Sequence, residues 1–475
     1  MSPLPDDERR SATVALRSAE VTTRSSCASP RRPRALAQPW RVLIVSPVFP
    51  PHIEHGGGVA ITLEALAGRI VDRGGTVDVL SPATGTLDSY EQTWYPGFRH
   101  IFPGVQNMAK IAKAVERADI VVAPDSTLVP FVALMCRVLR TPMLYNVHTD
   151  VACLLRDDGA ACVARAVDAW FALGSRLATR CLTTSPAYCA EARRRGYRVA
   201  GAFSPRIKTS IFELDTDTAD EIAAARAWLC GGARDAARRP LLLHVSRLSA
   251  EKRIAHCVAA KPRDAILAIV GDGPQRDEVY AMHDDAAGVV VHLGIVPQAR
   301  LRVLYKAADL VLSASAFETL GMTVMEAHLC GTPTVVERSC ASFVAQLVEG
   351  AHGNGALADF NDAAAARAAI DAVIARRLSP AAVKRTLVRS GGGDGGDGDA
   401  GRGGSAGGRS WDAGLPALDD VVDEVASLTL PPLCSCATLL NVAGVSLALL
   451  LWVFQMAVWT LCRVAGTTKM SASKH

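Results

Sequence analysis

Two cations, Arg247 and Lys252, stand five residues apart in the segment SRLSAEK (246–252). They follow an apolar run, PLLLHVS (240–246), that is typical of a buried strand. Arginine binds a diphosphate through paired hydrogen bonds, and lysine adds a point charge. Solvated surface cations are the alternative. The position directly after a strand favours a diphosphate clamp.

The segment FETLGMTVMEA (317–327) is the most informative in the chain. Glu318 ends the loop after the apolar run DLVLSAS (309–315), and Glu326 falls on the second turn of the helix predicted to follow. That helix is predicted to begin at three residues with unsatisfied amides, Gly321, Met322 and Thr323. Such amides can receive phosphate oxygens, and the carboxylates can accept hydrogen bonds from sugar or ribose hydroxyls. A helix-capping glutamate and a surface glutamate are the alternative.

A glycine-rich loop, His55-Gly56-Gly57-Gly58, lies between the first apolar run and a predicted helix. Gly57 and Gly58 would let the backbone approach a ligand, and the amides of a helix N-terminus favour phosphate. The loop is neither G-x-G-x-x-G nor a Walker loop, so nicotinamide and ATP chemistry lose support. A plain strand-to-helix turn is the alternative.

The elements that must position these residues alternate between strand and helix. Continuous apolar runs predict two series of buried parallel strands, at 41–46, 76–81, 119–124, 142–147 and 180–185, and at 240–246, 265–273, 288–294, 309–315 and 332–336. Helical apolar spacing lies between them, as in 60–71 and 301–308. This pattern predicts an α/β protein with two doubly wound, Rossmann-like domains. Functional residues are then expected just after strands, in a cleft between the sheets.

Composition narrows the class of protein. The 475 residues are 49% hydrophobic, and 51 basic residues against 47 acidic ones leave a net charge of +4. This net positive charge is too small to indicate a nucleic-acid partner. The 13 cysteines form no repeated C-x-x-C pairs, which argues against a zinc framework and a disulfide-stapled secreted domain.

Both ends of the chain differ from the body. Residues 1–40 are rich in Arg and Ser without a signal-peptide apolar run, which predicts a disordered leader or a transit peptide. Residues 391–409 are glycine-rich and predict a flexible tether. The uncharged residues 439–461 predict a membrane helix, because such a helix reaches roughly 34 Å at 1.5 Å per residue. A buried amphipathic helix is the alternative, and the orientation stays open.

Several motifs together resemble family 4 glycosyltransferases of the GT-B fold. They are E-x7-E after a strand, S-R-L-x-x-E-K, V-G-D-G-P, the glycine-rich first loop and a His after the fourth strand, and they span about residues 41–375 in the family's order. Within that family, E-T-L-G-x-x-V-x-E-A, APDSTLVPFVAL and N-V-H-T-D resemble the plant and algal sulfolipid synthases. Those enzymes move sulfoquinovose from a UDP donor to diacylglycerol.

The resemblance implies a role for each motif residue. Arg247 and Lys252 would hold the donor pyrophosphate, Glu326 the ribose and Glu318 the donor sugar, while His148 would contact the transferring sugar. Phosphate would bind the backbone amides of Gly57, Gly58, Gly321, Met322 and Thr323. The implied enzyme retains anomeric configuration and needs neither a bound metal nor a cofactor besides its nucleotide-sugar co-substrate. The D-x-D sequences at 215–217 and 397–399 lie in linkers and are given no metal role.

The expected organisation follows from these segments. It comprises a leader at 1–40, an N-terminal acceptor domain at 41–205, a C-terminal donor-nucleotide domain at 206–388, a Gly-rich linker at 389–410, a return helix at 411–432, a transmembrane helix at 433–463 and a basic tail at 464–475. The expected partners are a nucleotide-sugar donor, a lipid acceptor and a membrane, with no nucleic acid. The expected location is a single-pass protein of the plastid envelope or another endomembrane.

Three other functions stay open at this point. A GDP-mannose-dependent α-mannosyltransferase would use the same motifs with a different donor. A non-catalytic membrane scaffold of the same fold would bind the donor at most, and a sugar-nucleotide epimerase would need no lipid acceptor.

Overall fold

Two parallel β-sheets with hydrophobic clusters on both faces form the body of the protein. A computed structural model describes residues 39–50, 57–92, 99–153, 161–203, 209–212, 214–231, 238–282, 290–350, 353–386, 415–416, 418–428, 430 and 468–471. Each sheet has six strands, which confirms the prediction of two doubly wound α/β domains.

The N-terminal domain follows the predicted alternation of strands and helices. Its elements are β1 (Arg41–Val45), α1 (Gly57–Asp72), β2 (Thr76–Leu80), β3 (Ser89–Gln92), β4 (Arg99–Ile101), α2 (Val105–Arg117), β5 (Ile120–Pro124), α3 (Val129–Leu139), β6 (Met143–Val147), α4 (Ala161–Leu177), β7 (Arg180–Thr183), α5 (Pro186–Arg194) and β8 (Gly201–Ala202). The parallel strand order is β2-β1-β5-β6-β7-β8, and β3 pairs with β4 outside this sheet.

The C-terminal domain has the Rossmann strand order. Its elements are α6 (Thr209–Phe212), α7 (Ala219–Leu229), β9 (Leu241–Val245), α8 (Ile254–Ala260), β10 (Ile266–Val270), α9 (Arg276–Tyr280), β11 (Val290–His292), α10 (Gln298–Ala307), β12 (Leu310–Ser313), α11 (Met322–Cys330), β13 (Thr334–Glu337), α12 (Ala341–Gln346), β14 (Gly355–Ala358), α13 (Ala363–Arg376) and α14 (Pro380–Arg385). The sheet order is β11-β10-β9-β12-β13-β14, and its strands are parallel.

Burial of the strands on both faces explains their continuous apolar sequences. In β1, Val42 and Ile44 enter one hydrophobic cluster, whereas Leu43 and Val45 enter the cluster on the opposite face. The same alternation holds in β9. Because neither face meets water, the sequence of a central strand is continuously apolar and does not alternate between apolar and polar residues.

A helix after the Gly-rich segment returns to the N-terminal domain. This helix, α15 (Leu418–Ala426), buries Leu418, Val421, Val422 and Val425 in the cluster that contains α1 residues. Its acidic side chains pair with Arg69, Arg73 and Arg180. The helix lies within the segment predicted to return to the body.

The predictions for the two chain ends fall mainly outside the described residues. These are the leader at 1–40 apart from its last two residues, the linker at 389–410 and the transmembrane segment at 433–463. Among the helices that the structure describes, none is long and apolar enough to span a bilayer. In the predicted basic tail, strand β15 (Thr468–Ser471) pairs antiparallel with β3.

Candidate active site

A cavity of about 380 Å³ lies between the two domains, at the point where each sheet reverses its strand order. This reversal falls between β1 and β5 in the first sheet and between β9 and β12 in the second. Pro47 and Asp125 line the cavity from the first domain, and Arg247 and Glu318 line it from the second. Open α/β sheets bind ligands at this position, because the loops after the two strands diverge there and leave a crevice.

Most residues predicted from the motifs line this one cavity. They are Gly58, His148, Arg247, Lys252, Glu318, Gly321, Met322 and Thr323. Gly57 begins α1 directly beside it. Glu326 is the exception.

Two helix N-termini meet at the cavity. Helix α1 begins at Gly57 and α11 begins at Met322, and a Cβ atom on Gly58 would lie only 2.5 Å from Met322 Sδ. Gly321 precedes α11 with φ of 82°, and a Cβ atom there would lie 2.6 Å from Phe343 Cε1. The positive φ favours glycine at 321, whereas at 58 a side chain would have to displace the flexible end of Met322. The amides and dipoles of two helices converge on a space suited to an anion.

Cationic side chains line the same cavity from the C-terminal domain. Lys252 Nζ lies 2.6 Å from Glu318 Oε1, and Arg247 comes from the same loop after β9. Burial alone would lower the pKa of Lys252, but the carboxylates of Glu318 and Glu251 outweigh it and raise the pKa. Lys252 therefore stays charged, and this wall can neutralise phosphate charge.

Glu326 is not among the residues that line the cavity, so the ribose role that the motif implies stays a prediction. Its side chain is 4% exposed, and Oε2 accepts a 2.9 Å hydrogen bond from the Tyr305 hydroxyl. Burial raises the pKa of Glu326 to about 7, against the effect of that hydrogen bond. The position explains this result, because Glu326 lies four residues beyond Met322, which is about 6 Å farther along the helix axis.

His148 lines the cavity from the N-terminal domain as a neutral base. Burial lowers the pKa of His148 to about 3, and its Nε2 lies 2.8 Å from Asn146 Nδ2. With the Asn146 amide in this orientation its nitrogen donates, so that Nε2 accepts and Nδ1 carries the ring proton. The imidazole can then donate one hydrogen bond to a neutral sugar hydroxyl.

Asp125 is a site carboxylate that the motifs did not indicate. Its Oδ1 accepts from the Tyr145 hydroxyl at 2.9 Å, and its Oδ2 accepts from the backbone amides of His148 and Thr149 at 2.5 and 2.7 Å. Burial raises the pKa of Asp125 to about 7, although these hydrogen bonds act in the opposite direction. With both oxygens engaged, Asp125 positions the loop that carries His148.

Hydrogen bonds also hold the two domains together beside the cavity. Thr319 Oγ1 donates to the His148 carbonyl at 2.6 Å, and Ser185 Oγ donates to the Thr319 carbonyl at 2.6 Å. The rings of Tyr188 and Phe317 meet edge to face at 5.8 Å. The loop after β12 thus contacts both the C-terminal cations and the N-terminal His148.

The first D-x-D sequence is occupied by cations of the chain itself. Asp217 pairs with Arg302 and Lys306, and Asp215 pairs with Lys306 and Lys384. Within the described ranges, no cluster of three His, Cys, Asp or Glu residues could hold a metal ion. The second D-x-D sequence lies outside the described residues.

Two known families match the halves of the chain. Glycosyltransferase Family 4 matches residues 56–200, and Glycosyl transferases group 1 matches residues 234–386. The chain therefore contains two glycosyltransferase domains. The first contributes His148 and Asp125 to the cavity, and the second contributes Arg247, Lys252 and Glu318.

Curated relatives match over short stretches. The α-monoglucosyldiacylglycerol synthase of Streptococcus pneumoniae is 34% identical over 102 residues, which are 20% of this chain and 23% of the relative. The sulfoquinovosyl transferase of Arabidopsis thaliana is 31% identical over 103 residues, which are 21% of this chain and 20% of the relative. The matched stretches thus span about a quarter or less of these relatives.

The fold matches along most of the chain. Sucrose-phosphate synthase from Thermosynechococcus elongatus aligns with a TM-score of 0.54 and 20% identity, covering 73% of this chain and 91% of that structure. The likeness confirms the GT-B architecture expected from the motifs.

Proposed function

We propose that the chain is a retaining, metal-independent glycosyltransferase that moves a sugar from a UDP-sugar donor to a lipid acceptor. The observation that carries this proposal is the meeting of Arg247, Lys252 and the N-terminus of α11 at one cavity between the domains. Such a cavity stabilises the diphosphate that leaves when the sugar is transferred. The two glycosyltransferase domains support the same assignment.

The chemistry assigns a task to each wall of the cavity. As the bond between the anomeric carbon and the leaving phosphate oxygen breaks, negative charge grows on the diphosphate beside Arg247 and Lys252. The acceptor hydroxyl attacks the anomeric carbon from the same face, and its proton passes to the leaving phosphate. Asp125 is not needed as a base in this scheme, because the leaving phosphate takes the acceptor proton, and its hydrogen bonds give it a role in positioning the loop of His148. The fixed cations and helix amides take the place of a divalent metal.

A lipid acceptor is proposed from the relatives and from the apolar segment. The relatives include enzymes named for a glucosyldiacylglycerol product and for sulfoquinovosyl transfer. Residues 439–461 carry no Asp, Glu, Lys or Arg. We propose that this segment keeps the enzyme at a membrane, where a lipid alcohol is available, and that diacylglycerol is the acceptor and sulfoquinovose the first sugar to test.

The proposal is tested by incubating the purified full chain with lipid extract and one radiolabelled donor at a time. The donors are UDP-sulfoquinovose, UDP-glucose and GDP-mannose, each with and without EDTA. We expect label from a UDP-sugar in the lipid phase, with the α-anomer retained and with no loss of rate in EDTA. If label reaches the lipid phase only from GDP-mannose, the donor is GDP-mannose and not a UDP-sugar. An altered nucleotide sugar would indicate an epimerase, and nucleotide binding without turnover would indicate a scaffold.

A further inference from the structure

The N-terminal wall of the cavity contains a buried hydroxyl that has no hydrogen-bond partner among the described residues. Thr184 directly follows β7, lines the cavity and is 3% exposed. Among the residues that the structure describes, none hydrogen-bonds with its Oγ1. A buried hydroxyl without a partner costs free energy, and a ligand that supplies the missing hydrogen bond recovers it.

The charge on this wall differs from that on the opposite wall. In the described part of the N-terminal domain, no lysine or arginine lines the cavity, whereas Asp125 and Asp150 do. Asp150 is paired with Arg195, which does not line the cavity. Burial lowers the pKa of His148 to about 3 and that of His100, also on this wall, to about 4. Among its described residues, this wall therefore offers a phosphate no cationic side chain.

The polar groups are bordered by short apolar side chains. Val48, Val59 and Val151 line the same side of the cavity. Val48 is 6% exposed, and the other two are partly exposed. A polar group between apolar ones suits a small uncharged headgroup attached to a hydrocarbon chain.

We infer that Thr184 binds the hydroxyl of the acceptor, and that this acceptor is an uncharged lipid alcohol rather than an anionic lipid. The inference rests on the proposed function and extends it to the acceptor class. In the C-terminal wall, Arg247 and Lys252 serve the donor diphosphate. In the N-terminal wall, Thr184 orients the acceptor oxygen, and no described cationic side chain is available to pair with a phosphate-bearing headgroup.

The test compares two lipid alcohols, of which one is uncharged and the other carries its hydroxyl on a phosphoglycerol headgroup. Phosphatidylcholine vesicles contain either diacylglycerol together with phosphatidic acid, or phosphatidylglycerol, so that both surfaces carry equal negative charge and both offer a primary hydroxyl. The donor is whichever of UDP-sulfoquinovose and UDP-glucose gives product in lipid extract. We expect product from diacylglycerol at a rate at least tenfold above that from phosphatidylglycerol, because the phosphate of the latter would lose water at this wall without meeting a cation.

Variants of Thr184 link the selectivity to this residue. Thr184→Val keeps the shape and removes the hydroxyl, so it should raise the KM for diacylglycerol about tenfold. The dissociation constant for UDP should stay unchanged, which shows that the fold and the donor wall are intact. Thr184→Ser should restore the wild-type KM.

Each other outcome overturns a specific claim. Equal use of phosphatidylglycerol, or an unchanged KM in Thr184→Val, overturns the acceptor inference while transfer itself still supports the proposed function. Absence of both UDP binding and product with either lipid overturns the proposed function, and the acceptor inference falls with it.

Discussion

Lys252 and Glu318 form an ion pair at the cavity, with 2.6 Å between Nζ and Oε1. The two residues belong to different loops, one after β9 and the other after β12, on either side of the strand-order reversal. The pair holds the ammonium where a diphosphate would need it. In the proposed donor complex, a phosphate would compete with Glu318 for Lys252, and the released carboxylate could then accept a hydrogen bond from the donor sugar.

We expect Arg247→Ala and Lys252→Ala each to weaken UDP binding by about 1.5–3 kcal/mol, because each removes a charged hydrogen bond to phosphate. This corresponds to roughly a tenfold to hundredfold rise in Kd, measured by calorimetric titration with UDP. Arg385→Ala is the control, because Arg385 is an exposed cation of the same domain. If both site variants bind UDP with wild-type affinity, Arg247 and Lys252 do not bind the diphosphate.

We expect Asp125→Asn to keep most of the transfer rate, and Asp125→Ala to lose both rate and stability. Asparagine can still accept from the amides of His148 and Thr149 through its oxygen, whereas alanine leaves those amides and the Tyr145 hydroxyl unpaired. Each unpaired buried group costs about 1–3 kcal/mol.

Thermal unfolding and kcat separate the two possible roles of Asp125. A positioning role predicts that Tm and kcat fall together, and only in the alanine variant. Loss of kcat in Asp125→Asn with an unchanged Tm would instead indicate that the carboxylate takes part in proton transfer.

The sequence predicted the sheet architecture well, because the central strands are buried on both faces. The ten predicted strands correspond to β1, β2, β5, β6, β7 and to β9 through β13. The strand β14 was missed, since GALA (355–358) contains no β-branched residue and resembles a loop. The β3–β4 pair was also missed, because the three residues of β4, RHI (99–101), are too few to show an alternation of apolar and polar side chains.

The candidate site was predicted where a motif existed. Asp125, Thr184 and Thr319 were not singled out, although Asp125 and Thr184 directly follow β5 and β7, where functional residues were expected. A single aspartate or threonine after a strand is too common to stand out. For Glu326, the motif spacing could not reveal that its carboxyl is buried and accepts a hydrogen bond from Tyr305, and its role with ribose stays a prediction.

We expect Asp419→Ala to destabilise the protein by about 1–3 kcal/mol, and Asp420→Ala to change its stability by less than about 1 kcal/mol. Asp419 is 2% exposed and pairs with Arg69 and Arg73, both at 2.8 Å. Asp420 pairs with the same Arg73 but is 53% exposed. Urea unfolding of both variants is the measurement. Equal losses would show that α15 is held by its apolar face and not by the buried carboxylate.

We expect Glu326→Gln to gain stability relative to the wild type as the pH rises from 5 to 8. The pKa of Glu326 is about 7 in the folded chain against 4.5 for the ordinary group, so the folded state binds a proton that the unfolded state releases. The wild type therefore loses stability as the pH rises through this window, on the order of 3 kcal/mol in all, while glutamine stays neutral.

Urea unfolding of both proteins at pH 5 and pH 8 measures this difference. Asp125 titrates in the same range but is present in both proteins, so its contribution cancels. A stability difference that does not change between the two pH values would mean that Glu326 is already ionised and able to turn toward the cavity. In that case Glu326→Gln should also weaken UDP binding, as the ribose role inferred from the motif requires, whereas the buried carboxyl seen beside Tyr305 predicts an unchanged Kd.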